Sequence, residues 1–198
     1  MRHVGTDDTS DASPVEQADI AATRQLARHH HDPALRALTA FGQLVDQPPL
    51  LAASGAVVAW GLLAGDHRLA RRGMHLVASI ALATLLKGTV KRALSRTRPN
   101  VLLDQGRYRV EPLGPDEGPW HSFPSGHTAG SVALARAVVR SWTAARWPAY
   151  AGAAAVGLVQ VPRGAHYPSD VLAGVVVGVV AEAVVHRPFP ALTATPDR

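Results

Sequence analysis

From residue 47 to residue 65 the chain carries no ionisable side chain, and the run PPLLAASGAVVAWGLLAG is close to the length needed to cross about 30 Å of hydrocarbon. Four more apolar runs follow. The second, MHLVASIALATLL from Met74, reaches a membrane-like length by continuing past Lys87 to about Lys91, which places Lys87 at an interface or inside the protein. The others cover residues 126–139, 147–161 and 171–185, are short and rich in small residues, and hold at most one charge each, Arg136 and Glu182 being the two. Five such runs in succession with few acids favour a membrane bundle over a soluble one. The expected fold class is therefore all-α: an integral-membrane helical bundle of about five transmembrane helices, preceded by an amphipathic helix.

Composition narrows the function classes. A chain of 198 residues is the size of one compact domain. Its hydrophobic share of 47%, mostly Ala, Val and Leu, and its unperiodic Gly and Pro exclude a collagen-like or wholly disordered protein. The mean hydropathy is near zero because a polar N-terminal third is averaged with the uncharged runs. With no cysteine, a thiolate nucleophile, a disulfide framework, an iron–sulfur cluster and a cysteine-ligated zinc are all excluded.

Residues 1–12 are polar, with Asp7, Asp8 and Asp11, and read as a disordered tail without the basic start and apolar core of a signal peptide. Residues 13–46 read as an amphipathic helical region. Ser13 is a candidate N-cap, Pro14 takes the first helical position, and Glu16 can close a capping box. Asp32 and Pro33 repeat the start signal, and Leu35, Leu38, Phe41, Leu44 and Val45 fall at helical spacing. His29, His30 and His31 suggest a metal site at first sight. Adjacent histidines on a helix point in different directions, so a solvated polar patch is the expectation and no metal is assigned.

Charge orients the bundle. If all five runs cross, Arg68, Arg71, Arg72, Arg140, Arg146 and Arg187 share one side, which the positive-inside rule makes cytoplasmic. The opposite side carries a loop, residues 99–123, rich in Gly, Pro and charge, and the turn at 162–170. Three clusters lie at run ends on that side: Lys91 with Arg98-Pro99; Pro124-Ser125-Gly126-His127; and His166-Tyr167-Pro168-Ser169-Asp170. Together they gather fixed positive charge, two imidazoles and a helix N-terminus, which is what a phosphate-ester site needs. Singly, each is an ordinary helix end. Their order and context favour the site.

These motifs resemble the type 2 phosphatidic acid phosphatase (PAP2) superfamily, whose pattern is Lys-x6-Arg-Pro, then Pro-Ser-Gly-His, then Ser-Arg-x5-His-x3-Asp. Lys91, Arg98 and Pro99 match the first part, residues 124–127 the second in full, and His166 and Asp170 the end of the third. The Ser-Arg pair falls on Val159-Gln160, a departure that replaces a bidentate cation with a neutral amide. The resemblance covers residues 33–186 and implies a phosphatase domain over residues 47–187, followed by a C-terminal tail at 188–198.

It also implies roles. His166 attacks phosphorus and forms a phosphohistidine, while Asp170 hydrogen-bonds the other ring nitrogen. His127 protonates the leaving oxygen and then activates water. Lys91 and Arg98 neutralise phosphoryl oxygens, with Ser125 and the Gly126 N–H adding short donors, and Arg163 is the candidate to replace the missing arginine. The implied reaction is hydrolysis of a lipid phosphate monoester or diphosphate without a metal or other cofactor, by a protein of the bacterial inner membrane with its site facing the periplasm or exterior. Isoprenyl diphosphates, phosphatidate, phosphatidylglycerophosphate and lipid A phosphates fit such a site; nucleic acid does not. The alternatives are a catalytically weak phospholipid-binding or transport protein that kept the pocket, and a vanadium haloperoxidase, against which a short membrane bundle argues.

Overall fold

The computed structural model describes residues 9, 12–28, 30–33, 46–114 and 118–187. The apolar stripe at Leu35–Val45, most of the N-terminal tail and the tail at 188–198 lie outside the described residues.

Helix α1 (Pro14–Leu26) starts as its sequence dictates, with the Ser13 hydroxyl accepting from the Glu16 N–H and the Glu16 carboxylate accepting from the Ser13 N–H at 2.8 Å. Among the described residues, five helices form the bundle: α2 (Gln47–Leu63), α3 (His67–Ala93), α5 (Gly126–Ser141), α6 (Arg146–Val159) and α7 (Pro168–His186). Among the described residues, α3 and α7 are long and apolar enough to cross a membrane. The helix α2 is apolar over 17 residues, while α5 and α6 have 16 and 14.

At the bundle centre Ala83, Ala133 and Ala181 meet, so α3, α5 and α7 approach closely. Glycine closes the remaining distance. A Cβ on Gly174 would stand 2.6 Å from the Ser125 carbonyl oxygen, and one on Gly178 2.6 Å from that of Ala129, so the small-residue stripe of α7 is spent on α5 within the chain. The opposite face of α7 presents Leu172, Val176, Val180 and Val184 outward. A helix apolar on both its packed and its open face suits a membrane, and the chain is an all-α membrane bundle.

Polar groups divide between the two ends. At one end Glu182 is fully buried and bonded by Arg136 (2.9 Å) and Arg140 (3.2 Å), with His75 at 3.6 Å. This ion cluster accounts for both charges inside the apolar runs. The other end is roofed by residues 94–114 and 118–123, where the structure differs from the plain loop expected over 99–123. Strand β1 (Leu94–Arg96) pairs antiparallel with β2 (Val110–Pro112), Ser95 facing Glu111. Helix α4 (Pro99–Gln105) lies between them, begun by proline and ended by Gly106 at φ 66°. The roof forms because Leu102 is buried with Ile20 of α1 and Tyr167, a small core of its own over the bundle end.

Candidate active site

His166 lies in the turn between α6 and α7. Its backbone N–H and that of Ala165 both donate to the Gln160 carbonyl, and Gly164 takes the left-handed conformation that lets the chain reverse. The ring is buried, 3% exposed, with Nδ1 2.6 Å from the Ser122 carbonyl oxygen. A carbonyl only accepts, so Nδ1 carries the proton and the neutral ring keeps its lone pair on Nε2. Burial lowers the pKa of His166 to about 4 and the nearby Arg98 and Lys91 cations push the same way, outweighing Asp170. At neutral pH the imidazole is uncharged, the state that nucleophilic attack requires.

Asp170 does not make the contact expected of it. Its Oδ2 stands 3.8 Å from His166 Nδ1, beyond a hydrogen bond, because its oxygens are taken by others. Arg96 Nη1 donates to Oδ1 at 2.8 Å, while the Tyr167 N–H (2.8 Å) and the Ser122 hydroxyl donate to Oδ2. Asp170 thus holds Ser122, and Ser122 holds the ring. Arg96 is the second half of this frame: its guanidinium stacks 3.9 Å from the Tyr167 ring centroid and its Nη2 pairs with Asp19 of α1 at 2.9 Å. Burial opposes the charge on Arg96, but Asp170 and then Tyr108 and Asp19 keep its pKa above the ordinary value.

The cations approach from three elements. Arg98 Nε donates to the Gly118 carbonyl at 2.8 Å, and Lys91 Nζ to the His121 carbonyl at 2.6 Å, so both are aimed by the roof. Arg163 follows α6, its Nη1 3.4 Å from Gln160 Oε1. Burial and then the neighbouring Arg98 lower its pKa, with Asp46 opposing. Gln160 is itself buried, its amide donating to the Val156 carbonyl at 2.9 Å. The neutral residue at the departure point therefore shapes the His166 turn and steadies Arg163.

His127 occupies the first turn of α5, its Nε2 3.7 Å from Asp46, with Arg163, Lys87 and Arg98 as the surrounding cations. Ser125 is the N-cap of α5 and keeps its own hydroxyl proton free to donate. Its hydroxyl accepts from the Thr128 hydroxyl at 2.9 Å and N–H at 3.4 Å, and its own N–H donates to the Asp170 carbonyl, so it caps α5 and joins α5 to α7. Gly126 leaves room for Lys87, whose Nζ would lie 2.9 Å from a Cβ there. The first-turn N–H groups of a helix are free to meet an anion.

Asp46, Lys87, Arg96 and Ser122 are site or frame residues that motif reading missed. Lys87 carried a signal, a lone charge in an apolar run. Ser122 contributes through its carbonyl, which no side-chain pattern reveals.

The PAP2 superfamily model matches residues 72–193. The chain belongs to the PAP2 superfamily. It is 35% identical over 106 residues to the lipid A 1-phosphatases of Rhizobium etli and Rhizobium johnstonii, covering 54% of this chain and 45% and 43% of theirs. The chain thus aligns with a little under half the length of these curated relatives. Among solved structures, Aquifex aeolicus LpxE superposes with a TM-score of 0.65 at 20% identity, covering 93% of this chain and 99% of that one. A transmembrane PAP2 phosphatidylglycerolphosphate phosphatase from Bacillus subtilis gives 0.66 at 20% identity, over 94% and 91%. The PAP2 fold therefore extends over nearly the whole chain, roof included.

Proposed function

We propose that this chain is a membrane phosphatase that hydrolyses a lipid phosphate monoester or diphosphate through a phosphohistidine. The observation that carries the reading is the Nδ1 contact of His166 to the Ser122 carbonyl, which reserves Nε2 for phosphorus beside Lys91, Arg98 and Arg163. His166 Nε2 forms a bond to phosphorus as the bond to the leaving oxygen breaks, and His127 gives that oxygen its proton. His127 then takes a proton from water, whose oxygen attacks the phosphohistidine. Inorganic phosphate leaves, and both imidazoles return to their starting states. The three cations and the first turn of α5 offset charge on the phosphoryl oxygens.

The names of the Rhizobium relatives support a lipid substrate and place lipid A 1-phosphate first among those to test. The outward apolar faces support entry from the bilayer. The arginines near Glu182 at the far end support a cytoplasmic far side and a periplasmic site in a bacterial inner membrane. The test is phosphate release by detergent-purified protein, in EDTA, from a panel of lipid phosphates and diphosphates, beside His166→Ala. Release that vanishes in the variant supports the reading. Binding without release from any lipid would leave the pocket as a lipid-binding site and overturn it.

A further inference from the structure

The three consecutive histidines were expected to diverge around a helix, and two of them do not. Helix α1 ends at Leu26, the chain turns with the His30 N–H donating to the Ala27 carbonyl, and the rings of His30 and His31 come to 4.0 Å between centroids. Both reach across to α4. His30 Nε2 lies 2.9 Å and His31 Nε2 3.1 Å from the same oxygen, Oδ1 of Asp104.

His30 Nδ1 stands 2.8 Å from the Ala27 carbonyl oxygen, so that nitrogen carries a proton and Nε2 is the atom turned to the carboxylate. Two imidazole nitrogens thus converge on one carboxylate oxygen, an arrangement that a shared cation bridges. A backbone carbonyl on the far ring nitrogen is the usual outer partner of a metal-bound imidazole. We propose that His30, His31 and Asp104 bind one divalent transition-metal ion, joining the end of α1 to α4.

The donor set of two imidazoles and one carboxylate suits zinc, cobalt or nickel over magnesium or calcium. Tetrahedral bonds of about 2.0–2.2 Å set ligand atoms about 3.3–3.6 Å apart, so each nitrogen–oxygen pair opens by only a few tenths of an ångström to admit the ion. Its three ligand atoms already lie within 4.8 Å of one another. The His31 side chain is 69% exposed and that of Asp104 38%, which leaves an entry path and room for water to complete the shell. The other grouping, His75, Glu182 and His186, is unlike it, because two arginines already occupy its carboxylate and repel a cation.

The position gives the ion a mechanical role. A Cβ on Gly164 would be 3.5 Å from the Cβ of His30, and the Asn100 N–H of α4 donates to the Gly164 carbonyl at 2.9 Å. Gly164 stands between Arg163 and His166. The ion thus clamps α1 and α4 over the turn that carries the nucleophile while staying outside the reaction.

The test uses the whole chain in detergent, purified without a polyhistidine tag and stripped with EDTA. Zinc is titrated by calorimetry, cobalt by its visible absorption, and Tm is read with and without zinc. One equivalent should bind and raise Tm, and His31→Ala and Asp104→Asn should each weaken binding at least about tenfold. An absence of zinc binding, or binding unchanged in both variants, would overturn the proposal and leave a proton in the cluster. Phosphate release in EDTA by His31→Ala should match the parent, so failure of the metal site and failure of the phosphatase reading are read separately.

Discussion

His166 Nδ1 lies 2.6 Å from the carbonyl oxygen of Ser122, a main-chain acceptor that no side-chain substitution at Asp170 deletes. Asp170 acts one step away, by holding Ser122 and Arg96. Asp170→Asn should therefore lower kcat by about 10- to 100-fold while phosphohistidine still forms, whereas His166→Ala should abolish it. Rapid-quench trapping of the phosphorylated protein separates the two, and equal loss of the intermediate would show that the carboxylate acts on the ring directly.

Arg96 bridges Asp170 and Asp19 with its side chain almost wholly buried. Removing it strands two carboxylates. Arg96→Met should cost about 3–5 kcal/mol of stability, the range for breaking a buried pair from one side. Thermal unfolding checks this, and a change within about 0.5 kcal/mol would place Arg96 among ordinary surface residues.

His166 is held neutral, its pKa brought from an ordinary 6.5 to about 4 by burial first and by Arg98 and Lys91 next. Below pH 6.5 the unfolded chain takes up a proton that the folded chain refuses, so stability falls as pH drops from about 6.5 toward about 4. The Tm of the parent should decline over that window more steeply than that of His166→Gln. Parallel curves would show that the buried ring carries no such linkage.

Arg163 reaches the side chain of Gln160, which stands at the place of the family's missing arginine. Arg163→Ala should reduce kcat/KM by at least about 100-fold, with Arg163→Lys restoring part of the loss, since a lysine supplies the charge without the fork. Kinetics on the best lipid of the panel decide it; an unaffected Arg163→Ala would mean that two cations suffice.

Gly174 and Gly178 separate site geometry from bundle packing. A side chain at 174 pushes on Ser125 and the start of α5, while one at 178 pushes on Ala129 and Val132 farther down. Gly174→Val should depress phosphate release more than Gly178→Val at a similar cost of about 1–3 kcal/mol in stability. Equal activities at matched stability would uncouple α5 position from catalysis.

Much of this protein was written locally. Apolar runs set the five described bundle helices because hydrophobicity acts within one segment, and the Ser13 cap is read the same way. The ordered motifs around Lys91, His127 and His166 carried the family because each is a short string. Tertiary structure alone decided the rest. That Ser122 holds the His166 ring, that Arg96 is frame, that Asp46 faces His127 and that His30 and His31 converge on Asp104 are pairings between distant segments. The roof over residues 94–114 and 118–123 is of the same kind. Its strands are three residues each, and its core joins Leu102 to Ile20 and Tyr167, a contact that no local pattern encodes.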